Sequence, residues 1–132
     1  MNESYKSLID LIEKASIEGV TIEVAERTAG AALLVMESLS SQLTVLDKER
    51  RMRKRGLKAI KSAIRLEEVK SHDKKPTEGA LDDVVNTSPL VQAEEEAFDE
   101  AEVFTNELER QFGIAKETHL YFRGLSKGQF NG

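Results

Sequence analysis

The sequence predicts an all-α protein, a long antiparallel helical hairpin with short N-terminal and connector helices. Three observations carry that expectation. Apolar residues recur at steps of three and four over long stretches, and no alternating strand pattern is present. Only two prolines occur, so residues 22–70 run uninterrupted by a helix breaker. Charged residues make up 33% of the chain against 39% apolar, which fits a thin core under a polar surface. At 132 residues the length is that of one domain, read here as a single helical domain over 1–132.

The elements follow in order. Residues 4–16 form a short helix, with Tyr5, Leu8, Ile12 and Ala15 on one face. Gly19 interrupts it. Thr21 then caps a second helix, with Glu23 in its first turn opposing the helix dipole. This helix is expected over 21–70. Ala25, Thr28, Ala32, Val35, Leu39, Leu43 and Leu46 mark its inner face, which resumes at Leu57, Ile60 and Ile64. Gly30 and Gly56 are its weak points, each costing about 1 kcal/mol relative to Ala. Unbroken, it is about 70–75 Å long, so it must pack against another element.

Ser71–Pro76 reads as a linker. Thr77 caps a connector helix over 77–86, with Leu81, Val84 and Val85 as its apolar contacts. Ser88 and Pro89 are an N-cap and a first helical residue, opening a last helix over 89–123. On it Ala97, Ala101, Phe104, Leu108, Phe112 and Ala115 form the expected seam, with a kink at Gly113. The tail 124–132 is rich in glycine.

Several chemistries find no foothold. There is no Cys, and His72 and His119 have no motif partners. No Ser or Thr has an activating base in a motif, and Arg55-Gly56-Leu57-Lys58 lacks the spacing of a phosphate loop. The expectation is a non-enzyme with no catalytic residues, no metal and no cofactor. Glu94, Glu95, Glu96, Asp99, Glu100 and Glu102 lack metal-loop spacing and read as a solvated face. No apolar run approaches the length of a membrane span, and no signal layout opens the chain, so the expected location is cytoplasmic with no membrane partner.

The net charge of −5 conceals a polarised map. Lys48, Arg50, Arg51, Arg53, Lys54, Arg55, Lys58, Lys61 and Arg65 stand against Glu49 alone. Residues 78–110 hold eleven acids against Arg110. At about 100° per residue, Arg50, Lys61, Lys54, Arg65, Lys58, Arg51 and Arg55 fall across an arc of about 140°. Like charges at i, i+4 cost a helix a few tenths of a kcal/mol per pair, about 0.2–0.5. Three readings offset that cost or accept it: phosphates of a nucleic acid, an acidic helix of the same or a neighbouring chain, or simple solvation. A second distinctive segment, Thr118–Gly124, sets His119, Tyr121 and Phe122 beside Arg123. It reads either as a base-stacking surface or as an apolar plug holding hairpin or oligomer together. The expected oligomerisation residues are Phe104, Leu108, Phe112, Leu120, Tyr121 and Phe122.

The layout resembles the UvsY-type recombination mediators of tailed bacteriophages. Three features carry the resemblance: Gly56-Leu57-Lys58-Ala59-Ile60-Lys61 late in the long helix, the polar linker and acidic connector helix, and a closing helix ending in Arg123-Gly124-Leu125-Ser126-Lys127-Gly128. Ser62-Ala63-Ile64 stand where that family often has aromatic residues, so phosphate contact, not base stacking, is expected there. The resemblance implies a homo-oligomer that binds single-stranded DNA and helps a recombinase displace single-strand-binding protein, in the host cell cytoplasm if phage-encoded. It carries Lys58 and Lys61 over as nucleic-acid-binding residues. The residues themselves add Arg50, Arg51, Arg53, Lys54, Arg55 and Arg65. The rival reading is a phage structural or assembly protein, such as a scaffold, neck or tail-chaperone component, whose cations meet acidic helices.

Overall fold

The computed structural model describes residues 3–128. Four helices account for nearly all of them: α1 (Glu3–Glu18), α2 (Ile22–Lys70), α3 (Glu78–Thr87) and α4 (Pro89–Ser126). No strand occurs among the described residues. The chain divides into two compact units, one of residues 1–44 with 106–132 and one of residues 45–105. Helices α2 and α4 each contribute a stretch to both.

The helix ends form where the sequence places them. Gly19 adopts φ +90°, a conformation costly for any side chain, and its N–H closes on the Ala15 carbonyl at 3.0 Å. Thr21 Oγ1 accepts from the Val24 N–H at 3.1 Å, capping α2. Thr77 Oγ1 accepts from the Ala80 N–H at 3.2 Å, capping α3. Pro89 opens α4, and the Gln92 N–H bonds the Ser88 carbonyl at 3.0 Å. Gly113 does not interrupt α4, which continues three residues beyond the expected Arg123. It ends where Gly128, at φ +73°, donates to the Leu125 carbonyl at 3.0 Å. The expected tail 124–132 is therefore helical through Ser126, and its last four residues lie outside the described ones.

The first unit holds the better-buried core. Leu8, Thr28, Val35 and Leu39 are fully buried, and Ala15, Ala25, Ala29 and Phe122 form a cluster joined by Ile12, Val24 and Leu125. The α2 positions are those the periodicity marks, with Ala29 added. Buried Thr28 satisfies its hydroxyl on the Val24 carbonyl at 2.8 Å. Here α2 and α4 run antiparallel, since early Ala25 and Ala29 cluster with late Phe122. His119 Nδ1 meets the Ala29 carbonyl at 3.0 Å and ties the two helices.

On α4 the seam differs from expectation at two points, Phe104 and Phe112. At the first the buried residue is Thr105, while Phe104 is 54% exposed. At the second Gln111 is buried where Phe112 is half-buried. From Ala101 the inner face steps by four, not three, before Leu108, Gln111 and Ala115. Thr105 tolerates burial because its hydroxyl bonds the Ala101 carbonyl at 2.9 Å.

In the second unit burial is confined, among the described residues, to Leu81, Val85, Val91 and Thr105, while the apolar residues α2 contributes, Leu46, Leu57, Ile60, Ile64 and Val69, are half-buried. One expectation is corrected. Helix α2 contains an 18-residue window of mean hydropathy 1.3, long and apolar enough to cross a membrane by length and composition. Between Arg27 and Asp47 only Glu37 is charged, and interspersed Ser, Thr and Gly break the apolar residues into short runs. Only 22% of the window is buried within the chain, so the stretch is more exposed than an ordinary core helix.

Candidate nucleic-acid interface

The basic stripe of α2 lies within the second unit, and the fold splits it lengthwise into two rows. The inner row is paired. Arg50 lies 3.9 Å from Glu102 and 3.1 Å from Asp47. The Lys61 ammonium is 3.0 Å from Glu95. Arg65 reaches Glu78 at 3.2 Å and also bonds Asp82, clamping the first turns of α3. As α2 numbers rise from Arg50 to Lys61, their α4 partners fall from Glu102 to Glu95, so α2 and α4 are antiparallel here too. These three cations keep 36–42% of their side-chain surface, and each already has a carboxylate partner.

The outer row is open. Arg51 is 71% exposed and pairs only with Asp47 of its own helix, at 3.1 Å. Lys48, Arg53, Lys54, Arg55 and Lys58 are exposed, and none has a carboxylate within 4.0 Å among the described residues. Lys48, Arg51, Lys54, Arg55 and Lys58 form one ridge about 15 Å long. Arg53 projects from the other flank of the helix. The acidic helix therefore covers part of the stripe and leaves the rest to solvent.

The sequence anticipates the acids only as a group. Glu95 and Glu102 serve the inner row, while Glu96, Asp99 and Glu100 are exposed. The described residues hold no group of three or more His, Asp or Glu able to grip a metal ion. Exposed ion pairs of this kind contribute about 0–1 kcal/mol each. The inner row thus orients side chains more than it holds the fold.

The Thr118–Gly124 segment belongs to the first unit. Phe122 is buried and meets Tyr121 edge-on at a centroid distance of 5.1 Å. Tyr121 and Leu120 are 55% and 57% exposed. The oligomerisation candidates therefore separate. Leu108 and Phe122 are buried in the chain's own core, Phe112 is half-buried, and Phe104, Leu120 and Tyr121 face solvent. Phe122 fits an intrachain plug, since its ring is unavailable for stacking.

A polar cluster in the first unit has no counterpart in the sequence reading. Arg110 grips Glu107 with two bonds, at 2.9 and 2.6 Å, and Gln111 Nε2 donates to the same carboxylate at 3.3 Å. Bonding from Arg110, and then from Gln111, lowers the Glu107 pKa to about 2. The same contact raises that of Arg110. The i, i+3 and i, i+4 spacing of Glu107, Arg110 and Gln111 is the signal that was available.

Comparisons with protein-family models, with curated proteins and with solved structures give no match for this chain.

Proposed function

We propose that the protein is a non-enzymatic nucleic-acid-binding accessory protein that grips the phosphate backbone of a single strand along the outer ridge of α2. The observation that carries this reading is the exposed row Lys48, Arg51, Lys54, Arg55 and Lys58, in which Arg51 alone has a carboxylate partner, Asp47 of its own helix. The chain has acids in abundance, with 24 Asp and Glu. Its α3 and α4 acids go to Arg50, Lys61 and Arg65, and four neighbouring cations, Lys48, Lys54, Arg55 and Lys58, have no carboxylate within 4.0 Å among the described residues. Phosphates neutralise such a row by releasing condensed counterions, without reading sequence. Exposed Met52 supplies an apolar neighbour to the ridge, but no aromatic residue lies on it, so affinity comes from charge.

The finer reading, a mediator that helps a recombinase displace single-strand-binding protein, rests on the resemblance to UvsY-type proteins. Its test is recombinase filament formation on a strand already coated with that protein. The binding reading is tested by titrating a labelled single-stranded oligonucleotide across a salt series. Binding at low salt is expected, with a slope of log affinity against log salt of about −3, as for four to five phosphates neutralised. No binding at 50 mM salt overturns it.

An assembly role is the second reading. It is favoured by the apolar side chains left in solvent, Leu90, Val103 and Phe104 on α4 among them. A native mass spectrum with and without the oligonucleotide separates the two: an oligomer that ignores the strand supports assembly.

A further inference from the structure

Helix α2 is amphipathic on two opposite faces within the second unit. Its inner face, with Leu57, Lys61 and Ile64, is half-buried against the rest of that unit. About half a turn away, Val45, Glu49, Met52, Gly56, Ala59, Ala63, Leu66 and Lys70 recur at alternating steps of four and three, the period of a coiled-coil seam. All eight are exposed, Val45, Met52 and Leu66 by 57–59%. Among the described residues nothing covers this seam. Gly56 sharpens the point. A glycine inside a helix weakens it relative to alanine, and a Cβ added at Gly56 meets nothing within 4 Å. The same holds at the other described glycines, so open space alone does not single out Gly56; its place on the seam does, where a missing side chain lets a second helix approach closely.

From this seam we infer that the protein pairs with a second copy of itself, α2 against α2, antiparallel across a two-fold axis near Leu57 and Lys58. This goes beyond the nucleic-acid reading and does not depend on it. The charges choose the direction. In a parallel pair Glu49 meets Glu49, Lys70 meets Lys70, and Lys48 lies across from Arg53 of the other copy. In the antiparallel pair residue 45 faces 70, 49 faces 66, 52 faces 63 and 56 faces 59. Each Glu49 then lies within one turn of the partner's Lys70, and this attraction occurs twice by symmetry. Lys48 and Arg53 instead meet the partner's Val69 and Ile60. Sizes agree as well: Met52 sets a large side chain against the small partner's Ala63, and Gly56 faces the partner's Ala59, so the backbones approach most closely at the centre. The contact runs for about 37 Å of helix. It leaves the ridges of both copies on one side of the pair, which doubles the width of the basic surface.

Sedimentation velocity of the full chain, without nucleic acid, tests the pairing. The wild type is expected as a dimer. Ala59→Glu/Ala63→Glu, at exposed positions that keep the helix by circular dichroism, is expected as a monomer. A monomeric wild type at all concentrations, or an assembly unmoved by the glutamates, overturns it. Register is read separately, because the chain has no cysteine. Gly56→Cys and Ala59→Cys are each expected to stay unlinked alone and to form a disulfide only when mixed. Efficient self-linking of either variant overturns the antiparallel register.

Discussion

The two units use the same two helices in different ways. In the first, α2 buries Ala25, Thr28, Ala29, Ala32, Val35 and Leu39, and its partners Leu8, Leu108, Ala115 and Phe122 are equally covered. In the second, the same helix buries no residue fully and meets its neighbours through Arg50, Lys61 and Arg65. Burial of apolar side chains stabilises by about 1.5–3 kcal/mol each, exposed ion pairs by about 0–1. The first unit is therefore where the fold is held, and the second is where surface chemistry is displayed. A helix relieved of core duty in its second half is free to carry cations on one flank and an apolar seam on another.

The comparison breaks most directly at the cores. Leu39→Ala, fully buried in the first unit, is expected to cost about 3–4 kcal/mol in urea unfolding, and Ile64→Ala, half-buried in the second, about 1–2. Equal losses would erase the distinction. Thr77→Ala removes the cap of α3 and is expected to cost about 1 kcal/mol, because one N–H at the helix start loses its acceptor. Lys61→Ala is expected to cost less, about 0.5 kcal/mol or below, with the loss shrinking further in high salt. The smallest effect concerns Glu107. Its folded pKa is lowered to about 2, so its stabilising contribution is present above the ordinary value of 4.5 and fades as pH falls toward about 2. A pH series of unfolding midpoints should be flatter over that window for Glu107→Gln than for the wild type.

Much of the helical layout was legible in the residues. The caps Thr21, Thr77 and Ser88-Pro89, and the inner face of α2, follow from local chemistry and from period, which neighbours in space do not alter. The misses share a different origin. Phe104 and Thr105 sit one position apart, and only the angle at which α4 meets its partners decides which turns inward. The apolar window of α2 is interrupted by Ser, Thr and Gly, so no continuous apolar run marks it. For the basic stripe, sequence left phosphate, acidic helix and solvent as open readings. The structure assigns Arg50, Lys61 and Arg65 to intrachain acids, a division that depends on the register between α2 and α4 and is written in no local pattern.

That division is the central claim, and paired variants test it most directly. A single-stranded oligonucleotide is titrated across a salt series with the wild type, with Lys54→Ala/Lys58→Ala from the open ridge, and with Arg50→Ala/Lys61→Ala from the paired row. The open-ridge variant is expected to bind more weakly, with a salt slope shallower by about 1.4. The paired-row variant is expected to keep nearly the wild-type slope. Equal losses in both variants, or a larger loss from the paired row, would contradict the account.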